Sequence, residues 1–484
     1  MDLATARRFL ASSLTLSALA AASVPARADF LYARLVPGPG LEADGSSSAV
    51  DVSADGRTVV FSSDAMNWSS AGSTYHGDRA VAVDLDTGVI EELSVSGSGA
   101  FRGEAPVVSG DGRYVAFLTY STPYGPNWQV LRKDRQTGAL VVASSTAAGV
   151  AVSGGTNDNN PAISADGRYV VFDTSSPDLS PGAGTQIFVK DMQTGAVEMA
   201  SVRSDGSPSG SGPLEGSAST SSAASIDEPD GGGSCTFMPH ALSGNGRYLV
   251  MNCGTAMVPG ATSGQIYVRD LQANTTELIS RDNAHPSGTS AFAYRPAISP
   301  NGRFITFQLR GYAGLGYANG VDSTGNSGVY LRDRQSGTTV AIPRPGAVSA
   351  DDYDICRTSS VSDIGSVMLE CYYTLPGEVN RFPQVFLYVP GQGAPELLSA
   401  NASGQAGNAQ SGYSLAVNAS GLSMAWESDA SNIDPDDHNG GTDIFVLVEE
   451  SVITDQIFAD GFQAAPTSRQ PGRRLEILPR ASRD

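Results

Sequence analysis

Hard oxygen ligands crowd one short segment of this 484-residue chain, "IDPDDHNGGTD" (433–443). Asp434, Asp436, Asp437, Asn439 and Asp443 surround Gly440 and offer carboxylate and amide oxygens from one loop, the donor set that Ca²⁺ takes. The register departs from an EF-type loop, because counting back from Gly440 puts Pro435 where the first ligand belongs. An acidic surface turn closed by Asx hydrogen bonds explains the same residues, and both readings stay open at this level. Ca²⁺ is the one cofactor the sequence points to.

Other chemistry is sparse. The four histidines, His76, His240, His285 and His438, share no metal-ligand spacing, and H-E-x-x-H is absent. Each therefore reads as a loop or blade residue. No G-x-S-x-G sits between a strand and a helix, and "GLGYANG" (314–320) lacks the dinucleotide-binding spacing. Lys133 and Lys190 occupy one position of a recurring phrase and read as solvated strand residues. No catalytic residue is assigned.

The four cysteines form two local pairs. Cys235 and Cys253 flank "TFMPHALSGNGRYLVMN"; Cys356 and Cys371 flank "RTSSVSDIGSVMLE". A turn sits near the middle of each segment, so a hairpin would bring each pair face to face, within disulfide reach. A zinc site would need both pairs together, at a spacing this chain does not have.

Arg7 and Arg8, the apolar run "FLASSLTLSALAAASV" and Ala26-Arg27-Ala28 form a secretory signal over residues 1–28. We expect a bacterial exported protein, periplasmic or extracellular, where disulfides persist. The formal net charge is −20, and losing Asp2, Arg7, Arg8 and Arg27 takes it to −22. Such a field repels nucleic acid and anionic lipid and draws cationic partners. No later run reaches the roughly 18 apolar residues of a spanning helix, so membrane insertion is not expected.

The elements that must position these groups announce themselves by repetition. "VSADGRTVVF" (52–61) returns as "VSGDGRYVAF" (108–117), "ISADGRYVVF" (163–172), "LSGNGRYLVM" (242–251) and "ISPNGRFITF" (298–307), then in weaker form as "VSDIGSVMLE" and "VNASGLSMAW". The anchors Ser53, Ser109, Ser164, Ser243, Ser299, Ser362 and Asn418 lie 56, 55, 79, 56, 63 and 56 residues apart. A second phrase follows each anchor, as in "QVLRKDRQTG" (129–138) and "QIFVKDMQTG" (186–195). Asp-Gly or Asn-Gly between two β-like runs is a hairpin signal, since Gly takes φ > 0 without a Cβ clash. Each unit is thus two hairpins in series, a four-stranded antiparallel meander.

The second strand is apolar on both faces, with Tyr169 and Val171 on one and Val170 and Phe172 on the other. Such a sheet must be covered on both sides. Stacking seven sheets around an axis does this and hides their edges. The expected fold is all-β, a seven-bladed β-propeller of four-stranded antiparallel blades over residues 29–450. The seventh unit lacks a fourth strand, and "FLYARLV" (30–36) supplies one, closing the ring. Residues 204–234, rich in Ser and Gly, read as a flexible insertion, and 310–327 as a long Gly/Tyr loop. Residues 451–484 read as a partly disordered tail carrying "IFADGF".

The strand-turn-strand "SADGRYVVF", with "QIFVKDMQTG" and "WESDASNIDPDDHNGGTDIFV" (426–446), resembles the TolB-like, WD-repeat-like β-propeller family over roughly residues 30–450. The Trp-Asp pair of true WD repeats is missing. We expect no counterpart of TolB's additional N-terminal α/β domain, nor of the hydrolase domain of propeller peptidases. The resemblance implies the fold, while function lives in sites. The leading expectation is a monomeric, non-enzymatic scaffold that binds a protein or a glycan across one face. The alternative is a lyase- or lactonase-like propeller enzyme with a metal-assisted site at the ring mouth.

Overall fold

The computed structural model describes residues 30–449, apart from 39–40, 69–74, 157–159, 181–183, 211–233, 262, 282–291, 311–327, 346–355 and 375–380. The signal segment, the tail, most of the 204–234 insertion and nearly all of the 310–327 loop lie outside the described residues.

Seven four-stranded antiparallel sheets follow one another. The third shows the common plan: Ala162–Ile163, Tyr169–Thr174, Gln186–Asp191 and Val197–Met199 pair in sequence order. The last sheet takes Ser411–Val417, Ser423–Ser428 and Asp443–Glu449 from the end of the chain and Phe30–Arg34 from its beginning. Phe30 lies opposite Glu449 and Arg34 opposite Phe445, so the first described strand completes the seventh blade. Among the described residues the only helix is a single 3₁₀ turn, Met66–Trp68, and none is long and apolar enough to cross a membrane.

Both faces of every sheet are dry along its two middle strands. Val170 and Phe172 pack toward blade 2, while Val171 packs toward blade 4. Six apolar clusters bridge the blades in turn, including one in which Val59 and Val81 of blade 1 meet Ala425 and Val446 of blade 7. The circle therefore closes, and each sheet is covered by two neighbours.

The repeated phrase builds these contacts residue by residue. Ser164 Oγ donates to Asp166 Oδ1 at 2.6 Å and accepts from Tyr169 N at 2.9 Å, which fixes the turn. Gly167 holds φ at 67°, and a Cβ there would lie 2.2 Å from the Tyr114 ring of the preceding blade. Gly is thus required twice over, for its backbone and for its neighbour. Arg168 reaches across its own sheet to clasp Asp191 at 3.0 and 2.7 Å, and its guanidinium stacks 4.9 Å from the Tyr169 ring. The same clasp joins Arg113 to Asp134, Arg247 to Asp270 and Arg303 to Asp333.

Around the axis the residue after each anchor is linked to the next blade. Asp55 N donates to Gly110 O, Gly110 N to Ala165 O, Ala165 N to Gly244 O and Gly244 N to Pro300 O, at 2.7–3.1 Å. Pro300 has no N–H; Asn301 substitutes, donating from Nδ2 to Asp363 O at 3.2 Å and from its backbone N to Asp363 Oδ1 at 2.7 Å. Asp363 N reaches Ala419 O, and Asn418 Nδ2 closes the circle on Ala54 O at 3.2 Å. All seven junctions are bridged. Asn418 stands where the six other blades carry an anchor Ser beside their turn, and an amide spans this seam.

Cys235 and Cys253 face each other across the first two strands of blade 4, as do Cys356 and Cys371 in blade 6, and both pairs are disulfide-bonded. The hairpin reading of the cysteines holds. Lys133 and Lys190 differ from their expected solvation: they are 6% and 4% exposed. Lys190 Nζ leaves water for the carbonyls of Thr146 and Gly195, at 2.7 and 2.9 Å, because blade stacking covers that strand on both sides.

The 235–253 bridge spans 18 residues, and loop-closure entropy assigns such a crosslink about 3 kcal/mol. Replacing both cysteines with serine is expected to lower the unfolding free energy by that order in urea titrations. An unchanged midpoint in the double variant would show that the inner strand of blade 4 is held without the bridge.

Candidate functional site

The strand order sorts the connections between two rims. Turns between strands 1 and 2, and between strands 3 and 4, lie on the girdled rim and are nearly uniform in length. Strands 2 and 4 end, and strand 3 and the next blade's strand 1 begin, at the other rim. The sequence between those ends runs from residues 375–380 to 311–327 for the first kind of connection and from 93–103 to 200–234 for the second. Exposed aromatics share that rim: Tyr120 follows the second strand of blade 2, and Phe292 and Tyr413 lie near the start of the inner strands of blades 5 and 7.

A cavity of about 70 Å³ on the axis is lined by aliphatic residues from every blade, from Val52 to Val417, and by the girdle residues Ala54, Gly110 and Gly244. Four polar side chains join them: Asp51, His240, Ser360 and Asn418. Asp51 is buried on the inner strand of blade 1. Its Oδ1 accepts from Val52 N at 2.7 Å and its Oδ2 from Val108 N of the next blade at 2.8 Å. Burial pushes its carboxyl up, while His240 and the two amides pull it down.

His240 arrives from blade 4 by a local deformation. Thr236 pairs with Asn252 and Leu242 with Leu249, so five residues, 237–241, stand opposite two. Blades 1, 2 and 5 carry smaller register shifts in their inner strands, as at Ser48/Asp51. The larger excursion in blade 4 carries Pro239 and His240 into the cavity, and His240 Nε2 comes within 3.8 Å of Asp51 Oδ1. No motif signals this pair, since its members lie 189 positions apart and neither belongs to the repeated phrase.

Buried acid also lies higher on the second strands. Glu427 Oε2 accepts from Ala49 N at 2.9 Å, satisfying the amide of a residue held at φ 54° in the next blade. Burial is the main cause that pushes Glu427 up to about 8, and the charges of Asp429 and Glu370 add to it. Ser62 does the same service for Ala105 N with a hydroxyl.

The acidic loop of blade 7 closes on a cation from the other end of the chain. Arg34 donates from Nε to Asp434 Oδ2 at 2.8 Å, from Nη2 to Glu42 Oε1 at 3.1 Å and to Asp436 O at 2.9 Å, and from Nη1 to Asp443 Oδ2 at 3.3 Å. Asp437 Oδ1 stands 3.8 Å from Nη1. Asn439 donates to Ala43 O and Asp443 Oδ1, at 3.1 and 3.3 Å. Four of the five residues selected as oxygen ligands thus meet the guanidinium, Asp436 through its carbonyl alone, and Asn439 braces the loop. The carboxylates raise the Arg34 pKa against desolvation, and burial pushes Asp443 up to about 6. Among the described residues no three His, Cys, Asp or Glu side chains are grouped to hold a metal ion.

Removing the guanidinium would strand buried carboxylates, a loss of about 3–5 kcal/mol. Arg34→Ala is therefore expected to lower Tm sharply in calorimetry. With Arg34 supplying the positive charge, excess Ca²⁺ over chelator should leave the wild-type Tm unchanged; a rise would return the loop to the Ca²⁺ reading. Glu427 holds its proton in the folded state from about its ordinary pKa up to about 8. The folded chain binds more protons than the unfolded one in that window, so stability falls as pH rises through it. Glu427→Gln is expected to flatten this fall between pH 5 and 8. Parallel slopes in the two proteins would show that Glu427 is not its source.

No family model matches the chain, and no curated protein matches it in sequence. Among solved structures it is similar to TolB from Acinetobacter baumannii, at 16% identity and TM-score 0.35 over 66% of this chain and 61% of that one. The chain thus spans less than two thirds of that TolB's length. It is also similar to an oligogalacturonate lyase from Vibrio parahaemolyticus, at 9% identity and TM-score 0.46 over 87% and 98%. A third is an acylaminoacyl peptidase from Pyrococcus horikoshii, at 13% identity and TM-score 0.44 over 79% and 49%. At these identities no residue role passes from those proteins to this chain.

Proposed function

We propose that this protein is an exported binding scaffold, periplasmic or extracellular, that engages a protein or a glycan on its variable rim. The observation that carries the reading is the confinement of length variation to that rim. Rigid strands with short, uniform turns hold one end, and the long connections that can vary without disturbing the core leave from the other. Tyr120, Phe292 and Tyr413, 54%, 51% and 58% exposed, supply the amphipathic rings that anchor partners. The two disulfides fit an oxidising compartment.

A hydrolytic or lyase reading would look to Asp51 and His240 as an acid–base pair. A cavity of about 70 Å³ is small beside the roughly 300 Å³ and more of sites for small organic ligands, which counts against Asp51 and His240 as that pair. Metal-dependent turnover in polysaccharide and lactone panels, abolished by EDTA, would overturn the scaffold reading.

The direct test compares binding of envelope polysaccharides and periplasmic proteins by wild type, by a Tyr120→Ala, Phe292→Ala, Tyr413→Ala variant, and by Val89→Ser on the opposite rim. We expect at least a tenfold loss in the triple variant and none in the other. Equal binding by all three proteins would remove the variable rim from the account.

A further inference from the structure

We propose that Asp51 and His240 form a two-residue site for a divalent cation of the zinc type on the propeller axis, with water completing the coordination. This inference is independent of what binds on the variable rim. Three features of the inner strands carry it.

The first is an excess of charge over structural need. Asp51 sits two residues before its anchor, where the other blades carry Val107, Ala162, Ala241, Ala297, Ser360 and Ala416. Its structural role is to accept the amide of the next blade's inner strand, Val108 N. In blade 6 a hydroxyl fills that role, since Ser360 Oγ accepts from Val417 N at 2.9 Å. A buried carboxylate costs far more to desolvate than a hydroxyl, so satisfying that amide does not explain Asp51.

The second is the excursion of blade 4. It places an imidazole against that carboxylate from across the ring, and the Cys235–Cys253 bridge anchors the strand from which the excursion departs. Asp51 and His240 are the only titratable side chains among the lining residues of the cavity. His240 keeps 20% of its side chain exposed, which leaves a path for an ion.

The third is the distance. At 3.8 Å, Nε2 and Oδ1 stand within ion-pair reach but too far apart for a hydrogen bond. They are too close for a bridging water, which needs roughly 4.5 Å or more between its partners. Two ligand atoms each about 2.1 Å from Zn²⁺ lie roughly 3.4 Å apart at the tetrahedral angle, so a shift of a few tenths of an ångström would seat the ion. The amides of Val52 and Val108 orient the carboxylate from behind, the usual outer-shell arrangement. A cavity of about 70 Å³ leaves room for water in the open positions. Imidazole with carboxylate suits zinc and its neighbours better than Ca²⁺ or Mg²⁺, which prefer all-oxygen shells.

The test is calorimetric titration of the untagged, exported form of the chain with ZnCl₂ at pH 7.5, after chelator treatment. We expect one ion per chain and a Tm rise of a few degrees at saturation. Asp51→Ser follows the example of Ser360 and keeps an acceptor for Val108 N, so it should fold. With His240→Gln it should weaken binding at least tenfold, while CaCl₂ gives no heat in any of the three proteins. Absence of zinc binding, or equal binding by both variants, would overturn the proposal. So would a stabilisation that needs His240 and Asp51 but no metal, since the pair would then be a simple ion pair.

Discussion

Every blade of this protein is a sheet with two apolar faces, and such a sheet has no stable existence next to water. The constraint leaves stacking as the solution, and stacking leaves two raw faces at the ends of the row unless the row closes. Closure here is both apolar and polar. Ala425 and Val446 of the last blade meet Val59 and Val81 of the first, and Asn418 completes the circle of hydrogen bonds around the axis. The pairing of Phe30–Arg34 with Asp443–Glu449 joins the two ends of the described chain within one sheet, so opening the ring also means breaking a blade.

The repeated phrase is legible because its residues serve two blades at once. Ser164, Asp166 and Gly167 shape their own turn, yet Gly167 is also the seat of Tyr114 from the neighbouring blade. Ala165 is small because its amide and carbonyl meet Gly244 and Gly110 at close quarters; a Cβ on Gly110 would come within 2.9 Å of its own. A pattern under two sets of constraints drifts little between copies, and so fold, blade number and cysteine pairing can be read from one sequence.

What could not be read has a common cause: the partner lies far along the chain and outside the repeat. The carboxylates of the loop 433–443 surround a positive charge that belongs to Arg34, 400 residues from Asp434. Spacing within a loop reveals the ligands and says nothing of a distant guanidinium. The histidines look idle for the same reason. His240 gains a partner only when three extra residues in blade 4 push it across an axis that no linear pattern describes.

Departures from the repeat therefore carry as much information as the repeat itself, once those that closure alone explains are set aside. Asn418 is accounted for, since it reaches Ala54 O at the seam. Arg34 and Asp443 are accounted for: in blades 2, 3, 4 and 6 the residue at the position of Asp443 is a Gln that accepts from a Ser two residues past the fourth strand, as Gln186 does from Ser201 at 2.6 Å, and blade 7 replaces that neutral pair with an ionic one where the two ends of the described chain meet. Glu427 is half accounted for, because Ser62 shows that a hydroxyl can hold the same amide. Asp51 and His240 remain. They face each other across the ring at 3.8 Å, in a cavity that Ser360 and Asn418 also line. Closure does not require them, and a feature that the scaffold does not require is where function is to be sought.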